Sequence, residues 1–178
     1  MQKFNFSLVQ LLYFLLAFCL GMGIKYFYSV ATHEQLIFIL FPVHTLVELQ
    51  TSSQGIFVPE KGYVFSDLHI CIDKSCAGLN FWAICFLACA FVLIKKIKEQ
   101  KYTLFLLFIL LIITFFATIF TNTSRIIIAL LSLRSFPALA KQTWFHEAQG
   151  AFVFVSTLFI CYLSVSYIID FFQDKKRN

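Results

Sequence analysis

Asp73-Lys74-Ser75-Cys76-Ala77-Gly78-Leu79-Asn80 is where the chain changes character. The residues before it are polar and of mixed charge. After it, Leu79–Ile94 carries no charged side chain at all. A run of that length approaches the ~20 residues that cross a bilayer core. Backbone inside lipid must satisfy its own hydrogen bonds, and a single segment does so only as a helix. A span starting near Ser75 or Cys76, about 76–94, therefore puts a cysteine at its mouth, and Lys95, Lys96, Lys98 and Lys101 follow at the far end.

The rest of the chain has the same composition. Of its 178 residues, 60% are hydrophobic, 13% are charged and 24 are Phe. A soluble domain of this size could not hide that much apolar surface. The net charge of +5 does not point to nucleic acid. Half of the 14 basic residues fall in two patches, Lys95–Lys101 and Lys175-Lys176-Arg177, each beside an apolar run. That is the pattern of cytoplasmic flanks. The expectation is an all-α polytopic membrane protein: one domain, 1–178, with a bundle of roughly four or five transmembrane helices. The spans expected are 8–27, 76–94, 102–120 and 150–169. The partner this composition requires is the lipid bilayer.

Two stretches read less simply. Ala31–Gln50 is apolar over Leu36–Phe41, then interrupted by Pro42, His44 and Glu48. It is interfacial, re-entrant or spanning, and Lys3 and Lys25 flank the first span too evenly to decide. Within Gly55–Ile72, Ile56-Phe57-Val58, Pro59-Glu60-Lys61-Gly62 and Tyr63-Val64-Phe65 read as strand, turn, strand. Leu68, Ile70 and Ile72 then alternate with His69 and Cys71, a period of two. A small extracytoplasmic β-ribbon before the Cys76 helix is expected. After the span 102–120, Thr121–Arg125 emerges on the Cys76 side. Ile126–Leu133 either extends that helix or lies in the interface, and Ser135–Gln149 reads as a polar loop with Pro137.

The lysine patches alone set this sidedness, and it gathers Cys76, Arg125 and His146 on one non-cytoplasmic face. Cys76 at a helix N-terminus sits where unpaired N–H groups favour a thiolate. Ala77 and Gly78 leave room for a substrate backbone. A guanidinium, as on Arg125, can stabilise a thiolate or an oxyanion. Asn122, three residues earlier, shares its helix face; Asn122-Thr123-Ser124 also matches a glycosylation sequon. An imidazole such as that of His146 can pass a proton to a leaving amine. Each has a blander reading, as a structural thiol, a snorkelling arginine or an interfacial histidine. His33, His44 and His69 fit the site less well. Cys19, Cys85, Cys89 and Cys161 lie in apolar runs as small hydrophobes. His69, Cys71 and Cys76 are one conceivable ligand set. Cys-x4-Cys is not a standard zinc or thioredoxin spacing, so no metal or cofactor is expected. A Cys71–Cys76 disulfide remains open outside the cytoplasm.

Ser75-Cys76-Ala77-Gly78, then Asn122-Thr123-Ser124-Arg125, then His146 with Gly150, resembles the exosortase/archaeosortase family, and the short chain is most similar to the compact exosortase K group. That family's pattern is a Cys-Ser-Gly-like box, an Asn-x-x-Arg box and a downstream His; Ala77 stands where the family usually has Ser. The resemblance covers roughly residues 36–165. It implies a membrane cysteine transpeptidase or protease in the bacterial inner membrane, with its site extracytoplasmic. Its partners would be exported proteins with a C-terminal sorting signal (short motif, transmembrane helix, basic tail), and an amine acceptor of unknown identity. On this resemblance Cys76 is the nucleophile, Arg125 the electrostatic partner and His146 the acid/base, with Ser75, Gly78 and Asn122 supporting. The alternatives are a non-catalytic membrane scaffold with a structural cysteine, and a redox relay in which Cys71 matters as much as Cys76.

Overall fold

The computed structural model describes residues 7–97, 100–140 and 142–175. Lys98, Lys176 and Arg177 of the basic patches lie outside them. The described chain is helical apart from one small sheet, and four of its helices are long and apolar enough to cross a membrane. The protein is membrane-embedded.

Helix α1, Leu8–Val30, opens on a capping box. The Ser7 hydroxyl accepts from the Gln10 amide at 3.2 Å, and Gln10 Oε1 accepts from the Ser7 amide at 3.1 Å. Such a box satisfies two of the donors that a helix start leaves orphaned. Helix α3, Leu79–Lys96, runs antiparallel to it. Gln10 Nε2 donates to the Ile94 carbonyl at 3.1 Å at one end, and Lys74 Nζ to the Ala31 carbonyl at 2.8 Å at the other.

Helix α2, Ile37–Thr51, has 15 residues, about 22 Å of rise against a core of about 30 Å. At that length it falls short of the core. The chain arrives from Ala31, whose carbonyl Lys74 holds, and leaves into the sheet that runs directly back to Lys74. The segments on either side of it, at Ala31 and in the sheet, lie at the Cys76 end of the bundle. The polar residues that make this segment ambiguous bind the sheet. His44 is buried, with Nε2 3.1 Å from both the Gly55 carbonyl and Glu48 Oε1, and its ring lies 4.0 Å from that of Tyr63. Glu48 Oε1 also accepts from the Gly55 amide at 2.9 Å.

The sheet has three antiparallel strands in the order β1 (Ile56–Val58), β2 (Gly62–Phe65), β3 (Ile70–Ile72). Tyr63 pairs with Ile72 and Val64 with Cys71. The period-two reading of Leu68–Ile72 is too long by two residues. His69 takes φ 54°, so a turn occupies Leu68 and His69 and the strand starts at Ile70.

Helix α4 is continuous over Thr103–Ser135, so Ile126–Leu133 extends the span. A short α5, Pro137–Ala140, and then α6, Thr143–Lys175, follow. The expected loop Ser135–Gln149 is therefore wrong: most of it is helix. Pro137 takes the first helical position, where its missing N–H is not needed. His146 and Gln149 stand on the opening turns of α6. Length-of-run reasoning finds the part of a helix that lipid covers, whereas polar turns beyond the lipid bond themselves equally well.

Two cores hold the bundle. At the Cys76 end, Ile39, Leu40, Val43 and Val47 of α2 pack with Phe65, Ile72, Ile119 and Ile126. Toward the Lys96 end, Phe86, Cys89 and Leu93 of α3 pack with Leu107, Leu110 and Ile169. There Lys96 Nζ reaches Asp170 Oδ2 at 2.5 Å and Ser166 Oγ at 2.7 Å, fixing α6 to α3.

Candidate functional site

Cys76 sits on a single 3-10 turn, Lys74–Ala77, ahead of α3 rather than on its first turn. The span expected to start at Cys76 starts as α-helix only at Leu79. The break is Gly78, at φ 66° and ψ 17°, a left-handed conformation that side chains disfavour. It also leaves no room for one: a Cβ there would fall 1.9 Å from Asn122 Nδ2. The turn is pinned on its other side. Asp73 Oδ1 accepts from the Ser75 amide at 2.9 Å and its hydroxyl at 2.6 Å. Lys74 Nζ grips the Ser29 and Ala31 carbonyls at 3.2 and 2.8 Å and lies over the Tyr28 ring. The cysteine is thus carried on a clamped loop between α1 and α4.

Arg125 comes to it from α4. Nη2 donates to Cys76 Sγ at 3.5 Å, within the range of a hydrogen bond to sulfur. The guanidinium stacks 5.3 Å from the centre of the Phe154 ring. Its stem passes Gly150, where a Cβ would lie 3.3 Å from Arg125 Cδ. Gly150 therefore acts as a slot for the arginine, and Phe154, one turn on, as its rest. Among the described residues no carboxylate pairs with Arg125. Ser75 Oγ stands 4.0 Å from Cys76 Sγ, a weak contact.

His146 is exposed, on the first turn of α6. It shares with Cys76 and Arg125 a cleft of about 240 Å³, closed by Cys71, Phe145 and Gln149 among others. Among the described residues no hydrogen bond joins His146 to either of them. The structure thus puts the sulfur and the guanidinium in contact and the imidazole across a cleft from both. Gln149 Nε2 donates to Ser132 Oγ at 2.7 Å and ties this corner of α6 to α4.

Asn122 is fully buried beneath Gly78, and neither its Nδ2 nor its Oδ1 has a hydrogen-bond partner. A buried amide left unpaired costs about 1–3 kcal/mol. Cys71 does not bond to Cys76; both thiols are free. Cys71 Sγ donates instead to the Lys61 carbonyl at 3.1 Å. Burial, then the charge of Asp73, pushes the Cys71 thiol up, so it is less often a thiolate than an ordinary cysteine. No cluster of three metal-ligating side chains occurs among the described residues.

Lys74, Gln149 and Phe154 escape the sequence reading. Phe154 alone had a signal: it follows Gly150 by four, on the same helix face.

Fold and site together define a membrane-embedded helical bundle with a thiol, a guanidinium and an imidazole around one cleft. Comparison with protein-family models, with curated proteins and with solved structures gives no match.

Proposed function

We propose that this protein is a membrane cysteine transpeptidase or protease of exosortase-like type, with Cys76 as its nucleophile. The observation that carries the reading is the 3.5 Å contact of Arg125 Nη2 with Cys76 Sγ, in a cleft that His146 also lines. A fixed positive charge against the sulfur favours negative charge there. The neighbouring thiol, Cys71, is exposed and held toward its neutral form.

The reaction proposed runs between those positions. The substrate is an exported protein ending in a short motif, a transmembrane helix and a basic tail. Its scissile peptide enters the cleft at the extracytoplasmic rim. The Cys76 thiolate attacks the carbonyl carbon; a C–S bond forms and the carbonyl electrons move to oxygen, beside Arg125. As the oxyanion collapses the C–N bond breaks, and His146 protonates the departing amine. A thioester remains. Water or an acceptor amine then attacks it, His146 takes the proton, and the thiolate leaves. A substrate strand filling the cleft would bring imidazole and sulfur into one relay; such hydrogen bonds are often long until substrate is bound.

The test is Cys76→Ala with a co-expressed secreted protein of that build. Loss of processing is expected. Unchanged processing refutes the mechanism. A non-catalytic scaffold predicts no processing in either strain.

A further inference from the structure

Arg125 faces two clefts. On the side away from His146 it heads a second one, of about 310 Å³, between α3 and α6. Below Arg125 its walls are Phe81, Ile84, Phe154, Val155 and Leu158. Ile84 is 55% and Val155 64% exposed, so on a membrane-embedded bundle this cleft opens to lipid. At the Arg125 level the rim is polar, with Tyr28, Ser75 and Asn80.

The head of the cleft is built for an anion. A guanidinium has five N–H donors; here one goes to Cys76, and no carboxylate among the described residues balances the charge. The start of α3 forms the adjacent wall, and Gly78 caps it without a side chain. The first amides of this 18-residue helix therefore present its positive end to the same space. Behind Gly78 lies the unpaired, fully buried amide of Asn122, with Nδ2 directed at the glycine. Charge at the top and hydrocarbon below ask for an amphipathic anion.

Charge decides between the membrane's candidates: another apolar helix would leave Arg125 without an anion, whereas a phospholipid sets a phosphodiester against it and an acyl chain against the walls below. We propose that this cleft binds a glycerophospholipid, its phosphodiester on Arg125 and the first amides of α3, and one acyl chain between Ile84 and Phe154–Leu158. Cys76 is not among the residues lining this cleft, and the proposal is independent of whether that thiol is catalytic.

The test reads lipid rather than processing, so it separates from the preceding proposal. A photoreactive benzoylphenylalanine at position 155, irradiated in native membranes, should gain the mass of a phospholipid. The purified, delipidated full chain should retain one dioleoylphosphatidylglycerol by native mass spectrometry. Affinity should fall at least tenfold in Arg125→Gln and in Ile84→Trp, which fills the cleft without touching the charge, and less in Arg125→Lys. Dioleoylglycerol, lacking the phosphate, should bind at least tenfold more weakly. If Arg125→Gln aggregates, Arg125→Lys and Ile84→Trp decide. The proposal is overturned by a protein adduct at 155, whether a second copy or another helix. It is equally overturned by equal binding of dioleoylglycerol, by displacement with inorganic phosphate that ignores Ile84→Trp, or by lipid retention unchanged in the variants.

Discussion

Gly78→Ala is the most informative single change, because two separable costs meet there. At φ 66° an L-residue is strained, by roughly 1–2 kcal/mol. The new methyl would also lie 1.9 Å from Asn122 Nδ2, inside any contact distance. Asn122 is fully buried and cannot swing out, so α3 and α4 must part, and overpacking of this kind costs about 1–3 kcal/mol. The sum is about 2–5 kcal/mol. At roughly 2–4 °C per kcal/mol for a chain of this size, the melting midpoint should fall by at least about 4 °C. The assay is thermal unfolding of purified protein in one detergent, followed by tryptophan fluorescence. Asn122→Ala tests the division. Alone it removes packing but also an unsatisfied amide, and should shift stability by no more than about 1 kcal/mol. Combined with Gly78→Ala it should restore the overpacking share, about 1–3 kcal/mol, and leave the backbone share. A Gly78→Ala protein as stable as the parent, or a double variant no better than the single, would sink the account of how the Cys76 turn is seated on α4.

The remaining expectations are simpler. In a chain whose only remaining thiol is Cys76, a membrane-impermeant maleimide should label it from the extracytoplasmic side, and Arg125→Gln should slow labelling about tenfold; equal rates would remove the guanidinium's role. In a chain retaining only Cys71, labelling should keep accelerating as pH rises through the ordinary cysteine range, because burial and Asp73 hold that thiol up. Asp73→Asn should speed it at pH 7, and a slower rate would reverse the assigned sign. Gly150→Val should displace the Arg125 stem, whose Cδ lies 3.3 Å from a Cβ placed there, and depress both Cys76 labelling and substrate processing; normal rates for both would show the slot to be unnecessary. Lys96→Met breaks an ion pair that is partly exposed on both sides and should cost under about 1 kcal/mol, measured by the same melt.

How much of this was written in the sequence follows from where each residue's partners lie. The spans are legible because lipid imposes a length on an uncharged run, as in Leu79–Ile94. Arg125 stands out because a guanidinium is costly in an apolar setting, and Cys76 and His146 because each sits where polar sequence meets an apolar run. Helix α2 is not legible: His44 and Glu48 look like interruptions until Gly55 and Tyr63 are seen to receive them. The helical turns around His146 were missed because nothing in a polar stretch marks where lipid ends and helix continues. The Gly78–Asn122 contact joins positions far apart in the chain. A glycine after a cysteine reads as freedom, whereas the fold uses it for closeness.

Helix α4 has 33 residues, about 50 Å of rise, roughly 20 Å more than a hydrocarbon core. However the bundle is immersed, part of that rod must stand clear of the oil. With the Lys96 end at one boundary, Arg125 falls near the other, and Ser132 with its partner Gln149 stands above it like a pier head. A reagent arriving from the aqueous phase then meets the sulfur without crossing hydrocarbon, while anything tethered in the bilayer needs to rise only to its surface.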